Sequence, residues 1–205
     1  MALLSFIAMV SAHYRIQYPE PRGTYESEAQ LTFCDGYTDA TGVRSDFPLG
    51  TGGLIQLNNS HSHWTAAVLI SVEQNPSSFE DFNQTSDGTE LPLAVSWFST
   101  EGAGSVCIPV DIESLGISGI GDGSNVTLQT MLTGGDGNLF QCVDLTLRKD
   151  FSVPSNITCT RTVNGTVDTA VSSSDSDSST STSSAQKLVT TISGFLGIAL
   201  AAVLI

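Results

Sequence analysis

The sequence predicts an all-β fold, an antiparallel β-sandwich of about seven short strands, and three observations point to it. Short apolar and β-branched runs recur between His13 and Thr169, several alternating with the period of two that turns successive side chains to opposite faces. Gly, Pro, Asn and Asp, the residues that turns require, punctuate those runs. No window in the same span carries apolar residues at helical spacing.

Tyr14 to Tyr18 alternates until Pro19 and Pro21 stop it. The polar, turn-rich stretch from Gly23 to Gly53 follows, with Cys34 expected to pin it. Strands are expected at Leu54 to Leu57 and Trp64 to Val72, joined by a histidine-bearing connection, and then at Leu91 to Ser99 and Ser105 to Ile112. Within Asn125 to Thr133, Val126, Leu128 and Leu132 point one way and Thr127, Gln129 and Thr133 the other. Leu139 to Leu147 sets Leu139, Val143, Leu145 and Leu147 on one face, and the loop Gly134-Gly135-Asp136-Gly137-Asn138 joins these two strands as a hairpin.

The ends of the chain read as processing signals. Residues 1–12 form an apolar leader too short to span a bilayer, with Val10 and Ala12 at the small-residue positions of a signal-peptide cleavage site. The folded domain is expected at residues 13–169. A Ser/Thr-rich linker at 170–187 cannot bury enough apolar surface to fold and reads as an extended stalk. The apolar tail at 188–205, preceded by small residues and a polar spacer, signals a glycosylphosphatidylinositol (GPI) anchor, with Ser183 as the expected attachment residue and Ser178 and Ser181 as alternatives. The mature protein would then sit on the extracellular face of the plasma membrane or in the cell wall.

Charge and cysteines fit that compartment. A formal net charge of −14 with seven Lys plus Arg argues against nucleic acid or an anionic lipid surface as partner. Five Asn-x-Ser/Thr acceptors stand at Asn58, Asn83, Asn125, Asn156 and Asn164. Four cysteines, Cys34, Cys107, Cys142 and Cys159, imply two disulfides in an oxidising environment and lack the C-x-x-C spacing of a zinc site. Three connectivities exist, and Cys34–Cys142 with Cys107–Cys159 is the expected one.

Cleavage after Ala12 would make His13 the first residue of the mature chain. It would then offer two nitrogens from one residue, the free α-amine and the imidazole Nδ1. His61 and His63, two residues apart, would face the same way in an extended segment, and either supplies a third nitrogen. Three nitrogens in a T-shaped plane suit Cu(II), whereas zinc favours a tetrahedral set. The amine binds only when neutral, with a free pKa of ~7.7–8.0, so affinity should weaken as pH falls. No Gly-x-Ser-x-Gly elbow or comparable nucleophile motif is present, and no catalytic residue is assigned.

Four motifs occur in a particular order: His13-Tyr14 with Tyr18-Pro19; His63-Trp64-Thr65-Ala66-Ala67-Val68; Asn75-Pro76 with Phe79; and Gly135-Asp136-Gly137 leading into Leu139-Phe140-Gln141-Cys142. With the serine stalk and anchor signal, the chain resembles, over nearly its whole length, the fungal lytic polysaccharide monooxygenase-like copper-binding proteins of the copper acquisition factor family. That resemblance implies an immunoglobulin-like β-sandwich binding one Cu(II) through an N-terminal histidine, a second histidine and an aspartate. It implies copper acquisition or homeostasis rather than polysaccharide oxidation, with a copper transporter or cell-wall glucan as further partners. Carried onto this sequence, the ligands fall on His13, His63 and Asp136, with His61 as the alternative to His63. Without the resemblance nothing favours Asp136 over Asp111 or Asp122. Two other functions belong to different classes: a copper-dependent polysaccharide monooxygenase, and a metal-free anchored wall protein. Trp64 and Trp97 both lie in expected strands, which leaves no evident aromatic platform for a glycan.

Overall fold

The computed structural model describes residues 13–164 and 167–170. The expected leader, most of the linker, Ser183 and the apolar tail lie outside the described residues. Among those described, no helix is long and apolar enough to cross a membrane.

Among the described residues, ten strands run in chain order as β1 (Tyr14–Tyr18), β2 (Ser45–Pro48), β3 (Gly53–Asn59), β4 (His63–Ser71), β5 (Val95–Glu101), β6 (Gly104–Val110), β7 (Asn125–Thr133), β8 (Asn138–Arg148), β9 (Arg161–Asn164) and β10 (Val167–Ala170). They form two sheets, β1-β3-β6-β9-β10 and β2-β8-β7-β4-β5, so the chain is the all-β sandwich its sequence predicts. The seven expected strands are β1 and β3 to β8. The strand expected from Leu91 begins instead at Val95, and β2, β9 and β10 are additional, each four residues long. Four residues are too few for a period-two pattern to register, and β2 carries Asp46 and Pro48. Two pairings depart from the antiparallel expectation: β2 runs parallel to β8 and β9 parallel to β6.

The core lies between the sheets and collects Ile16, Phe47, Ile55, Leu57, Trp64, Ile70, Ile108, Val126, Leu128, Leu132, Val143, Leu145 and their neighbours. Tyr14 reaches across it, donating its hydroxyl to the Thr130 carbonyl at 2.7 Å. Burial pushes that phenol well above its ordinary pKa.

Along β7 the expected alternation holds in direction but not in burial. Thr127 and Gln129 are as buried as Val126 and Leu128, because the segment between β1 and β2 lies over the outer face of the second sheet. The Cys34–Cys142 disulfide ties that segment to β8. Arg22 donates its backbone N–H to the Cys142 carbonyl at 2.8 Å. Its guanidinium bonds both carboxylate oxygens of Asp144, at 3.0 and 2.9 Å, with both side chains out of solvent. Thr127 donates its hydroxyl to Asp144 at 2.6 Å, and the Thr41 backbone N–H adds a bond at 3.0 Å. Burial alone would raise the Asp144 carboxyl. The bonds from Arg22, Thr127 and Thr41, with the Arg22 charge, outweigh it and hold the pKa below the usual value. The second disulfide, Cys107–Cys159, ties β6 to the stretch before β9. Both expected pairings are formed.

Candidate metal centre

The pairing of β1 with β3 positions His13. Tyr14 stands opposite Asn59, which brings Ser60 beside His13. The His13 backbone nitrogen donates to Ser60 Oγ at 2.8 Å, and its carbonyl accepts from the Ser60 N–H at 3.0 Å and the Ser60 hydroxyl at 2.6 Å. The imidazole turns toward the segment that covers the second sheet. Its Nε2 lies 3.1 Å from the Ser27 carbonyl, and its edge meets the Tyr25 ring at 6.3 Å. A carbonyl only accepts, so this bond requires the proton on Nε2 and puts the lone pair on Nδ1. Metal-binding histidines are oriented in this way, through a bond made by the other ring nitrogen.

His61 is positioned by a local turn. After β3 the chain bends at Ser62, and Asn59 braces the bend: its Oδ1 accepts from the His61 N–H at 2.8 Å and its Nδ2 donates to the His61 carbonyl at 3.2 Å. The side chain is driven inward to 3% exposure, beneath the β7–β8 hairpin. A Cβ on Gly134 would overlap the His61 ring, so only glycine fits above it. His61 Nε2 is buried with no hydrogen-bond partner among the described residues. Leaving such a group unpaired costs about 1–3 kcal/mol, which makes it a fitting metal-facing atom.

His63 goes the other way. It opens β4 with its side chain 73% exposed, and its Nδ1 lies 3.3 Å from Glu101 Oε1, directly across the β4–β5 register. The bend at Ser62 therefore parts two histidines that an extended segment would have turned to one face. Asp136 sits exposed in the hairpin whose Gly134 covers His61. Gly137 in the same loop closes against Leu31. The fold thus gathers the start of β1, His61 and the Asp136 hairpin into one region. Among the described residues, no three His, Cys, Asp or Glu side chains are yet close enough to hold a metal ion together.

A further acidic residue belongs to this region and escapes sequence reading. Asp35 is only 4% exposed, and it and Cys34 both adopt left-handed backbone, with φ of 58° and 47°. Such conformations cost on the order of 1–3 kcal/mol each for residues other than glycine. Asp35 Oδ2 accepts from the Glu26 N–H and from Gln141 Nε2, both at 3.1 Å, while Oδ1 is buried without a hydrogen-bond partner among the described residues. Burial raises the carboxyl pKa, and the bonds from Gln141 and Glu26 oppose it more weakly.

The remaining expected surface features divide. Asn58, Asn83 and Asn156 are exposed. Asn125 is half-buried, and its Nδ2, the atom a glycan would occupy, donates to Gln74 Oε1 at 3.2 Å. The side chain of Asn164 lies outside the described residues. Trp64 is buried and donates its indole N–H to the Gly102 carbonyl at 3.2 Å. Trp97, although in β5, is 46% exposed, because β5 is an edge strand with one face open; membership of a strand does not hide an aromatic ring there.

The family model described as copper acquisition factor BIM1-like matches residues 11–164. A protein named copper acquisition factor BIM1, from Cryptococcus neoformans var. neoformans serotype D, is 45% identical over 159 residues, 77% of this chain and 71% of its own length. Its namesake in C. neoformans var. grubii serotype A is 44% identical over 149 residues, 73% of this chain and 66% of its own. The chain belongs to the copper acquisition factor BIM1-like family. An uncharacterised protein of Aspergillus fumigatus is 32% identical over 147 residues, 70% of this chain and 56% of its own. The BIM1-like match spans all three histidines, the Asp136 hairpin, Asp35 and the four cysteines, and it stops where β9 ends.

Proposed function

We propose that this chain, cleaved after Ala12, is a cell-surface copper(II)-binding protein serving copper acquisition or homeostasis. His13 would supply its α-amine and Nδ1, His61 its Nε2, and Asp136 a carboxylate. The observation that carries this reading is the Nε2 of His61, buried with no hydrogen-bond partner among the described residues, one residue after the Ser60 that holds His13, whose own Nε2 is bonded to the Ser27 carbonyl. Family membership and two relatives named for copper acquisition support it.

The assignment of the second nitrogen moves from His63 to His61. His63 is solvent-exposed beside Glu101, whereas His61 has an unmet polar atom in the right region. In the uncleaved chain the His13 nitrogen is an amide donating to Ser60 Oγ. The freed amine could keep one N–H on that oxygen and direct its lone pair elsewhere. The role of the Asp136 carboxylate is to add negative charge, which favours Cu(II) over Cu(I), and to fill a position that an oxygen-activating site would keep open. Hence the reading is metal capture without polysaccharide oxidation. The leader, exposed sequons, stalk and terminal apolar tail in the sequence support secretion, glycosylation and a GPI anchor in the plasma membrane.

N-terminal sequencing of the secreted protein should begin at His13, and Cu(II) titration should saturate at one equivalent. His61→Ala should abolish stoichiometric binding, while His63→Ala should keep affinity within about threefold. A mature chain starting elsewhere, or loss of binding in the His63 variant alone, refutes the assignment.

A further inference from the structure

We propose that Asp35 is the buried counter-charge of the N-terminal copper site, positioning His13 and biasing the bound metal toward Cu(II); this rests on the copper reading above. Asp35 is the hub between the covering segment and the first residues of β1. Its Oδ2 accepts from Glu26, and the adjacent Ser27 carbonyl takes the His13 imidazole at 3.1 Å. The same oxygen accepts from Gln141 Nε2, and Gln141 Oε1 accepts from the Ile16 N–H at 2.7 Å. Gln30, from the same loop, donates to the Tyr14 carbonyl at 2.6 Å. His13, Tyr14 and Ile16 are thus each bonded to a loop or side chain that Asp35 organises.

The other oxygen has no such structural use. Oδ1 is buried without a hydrogen-bond partner among the described residues, on a carboxylate that interacts electrostatically with His13. The chain also enters left-handed backbone at Cys34 and Asp35 to put it there, held on both sides by bonds to β8, Cys34 to Cys142 and Asp35 to Gln141. A buried carboxylate with an unmet oxygen is stabilised by a positive charge arriving beside it. The cleaved α-amine and the copper it binds bring that charge to the start of β1. A fixed anion near the metal stabilises the more highly charged oxidation state.

Asp35→Asn tests this, because Asn tolerates left-handed backbone and retains an accepting oxygen while removing the charge. The mature variant should bind one Cu(II) about 10–100-fold more weakly, and the midpoint potential of the bound copper should rise. Should the Asn variant fail to fold, Asp35→Gly, at ease with this φ, carries the same measurements. A lowered melting temperature with unchanged affinity and potential would mean a structural role only and overturns the inference. His61→Ala in the same titration separates the two claims. Loss of binding there, with Asp35→Asn unaffected, removes the Asp35 role alone. Tight binding retained by His61→Ala, or no Cu(II) binding by the wild-type chain, removes the copper reading and this inference with it.

Discussion

Gly134 lacks a side chain in the place where His61 needs the room. A Cβ there would overlap the His61 ring, and the backbone at Gly134 is not left-handed, so substitution is penalised by steric overlap alone. Gly134→Ala should therefore move His61 and weaken Cu(II) affinity at least about tenfold, with a stability loss of about 1–3 kcal/mol from overpacking. Gly42→Ala, where a Cβ meets nothing within 4 Å, should change neither, and calorimetric titration with thermal unfolding reads both. Equal affinity in Gly134→Ala and wild type would show that His61 is not a ligand. At this scale the sequence marks which residue types carry the chemistry but not which way they face. His61 and His63 are equivalent as letters; only the bend at Ser62 and the Asn59 brackets turn one in and the other out. Asp35 is less legible still, since Phe-Cys-Asp-Gly reads as an ordinary turn until its contacts with Gln141 and Glu26 are in place.

The element that matters most for the site is not a strand but the segment between β1 and β2, laid across β7 and β8. Cys34–Cys142 holds its middle, so opening that bridge with Cys34→Ser and Cys142→Ser should lower stability by about 2–5 kcal/mol and also weaken Cu(II) binding, because the Ser27 and Asp35 contacts hang on the same loop. Opening Cys107–Cys159, which ties β6 to the stretch before β9, should lower stability while leaving affinity within about threefold. Denaturant midpoints and titrations on the two double variants distinguish these outcomes; equal losses of affinity would contradict the loop's role. The strands themselves were legible wherever one face is apolar, as in β3, whose buried positions alternate. The parallel pairing of β2 with β8 was not, because a four-residue strand with Asp46 and Pro48 carries no pattern that specifies a partner. Nor was the burial of both faces of β7, since Thr127 and Gln129 look like solvent-facing residues until a loop from far away in sequence covers them.

At the scale of the whole molecule, two buried carboxyls among the described residues carry opposite shifts and bear on the fold's response to acid. Asp144 is lowered, chiefly by its bonds from Arg22 and Thr127 working against burial. Its stabilising contribution is therefore complete above the unfolded carboxyl pKa of ~3.9 and is lost as pH falls below it toward the folded value. Asp35 is raised by burial, so ionising it costs stability at neutral pH, and that cost disappears as acid protonates it. The Asp144 pair should dominate, because it joins the covering segment to β8 and its partner Arg22 is fully buried. Removing its charge leaves a guanidinium without its counter-ion, with Arg44 a further cation at 3.8 Å. Asp144→Asn should cost about 3–5 kcal/mol at neutral pH. Its difference from wild type should narrow as pH falls below about 4, where the wild-type carboxylate is itself being protonated. Urea midpoints measured from neutral pH down through that window test the sign. A difference that stays constant throughout would mean that Asp144 supports the fold by shape and hydrogen bonding rather than by charge.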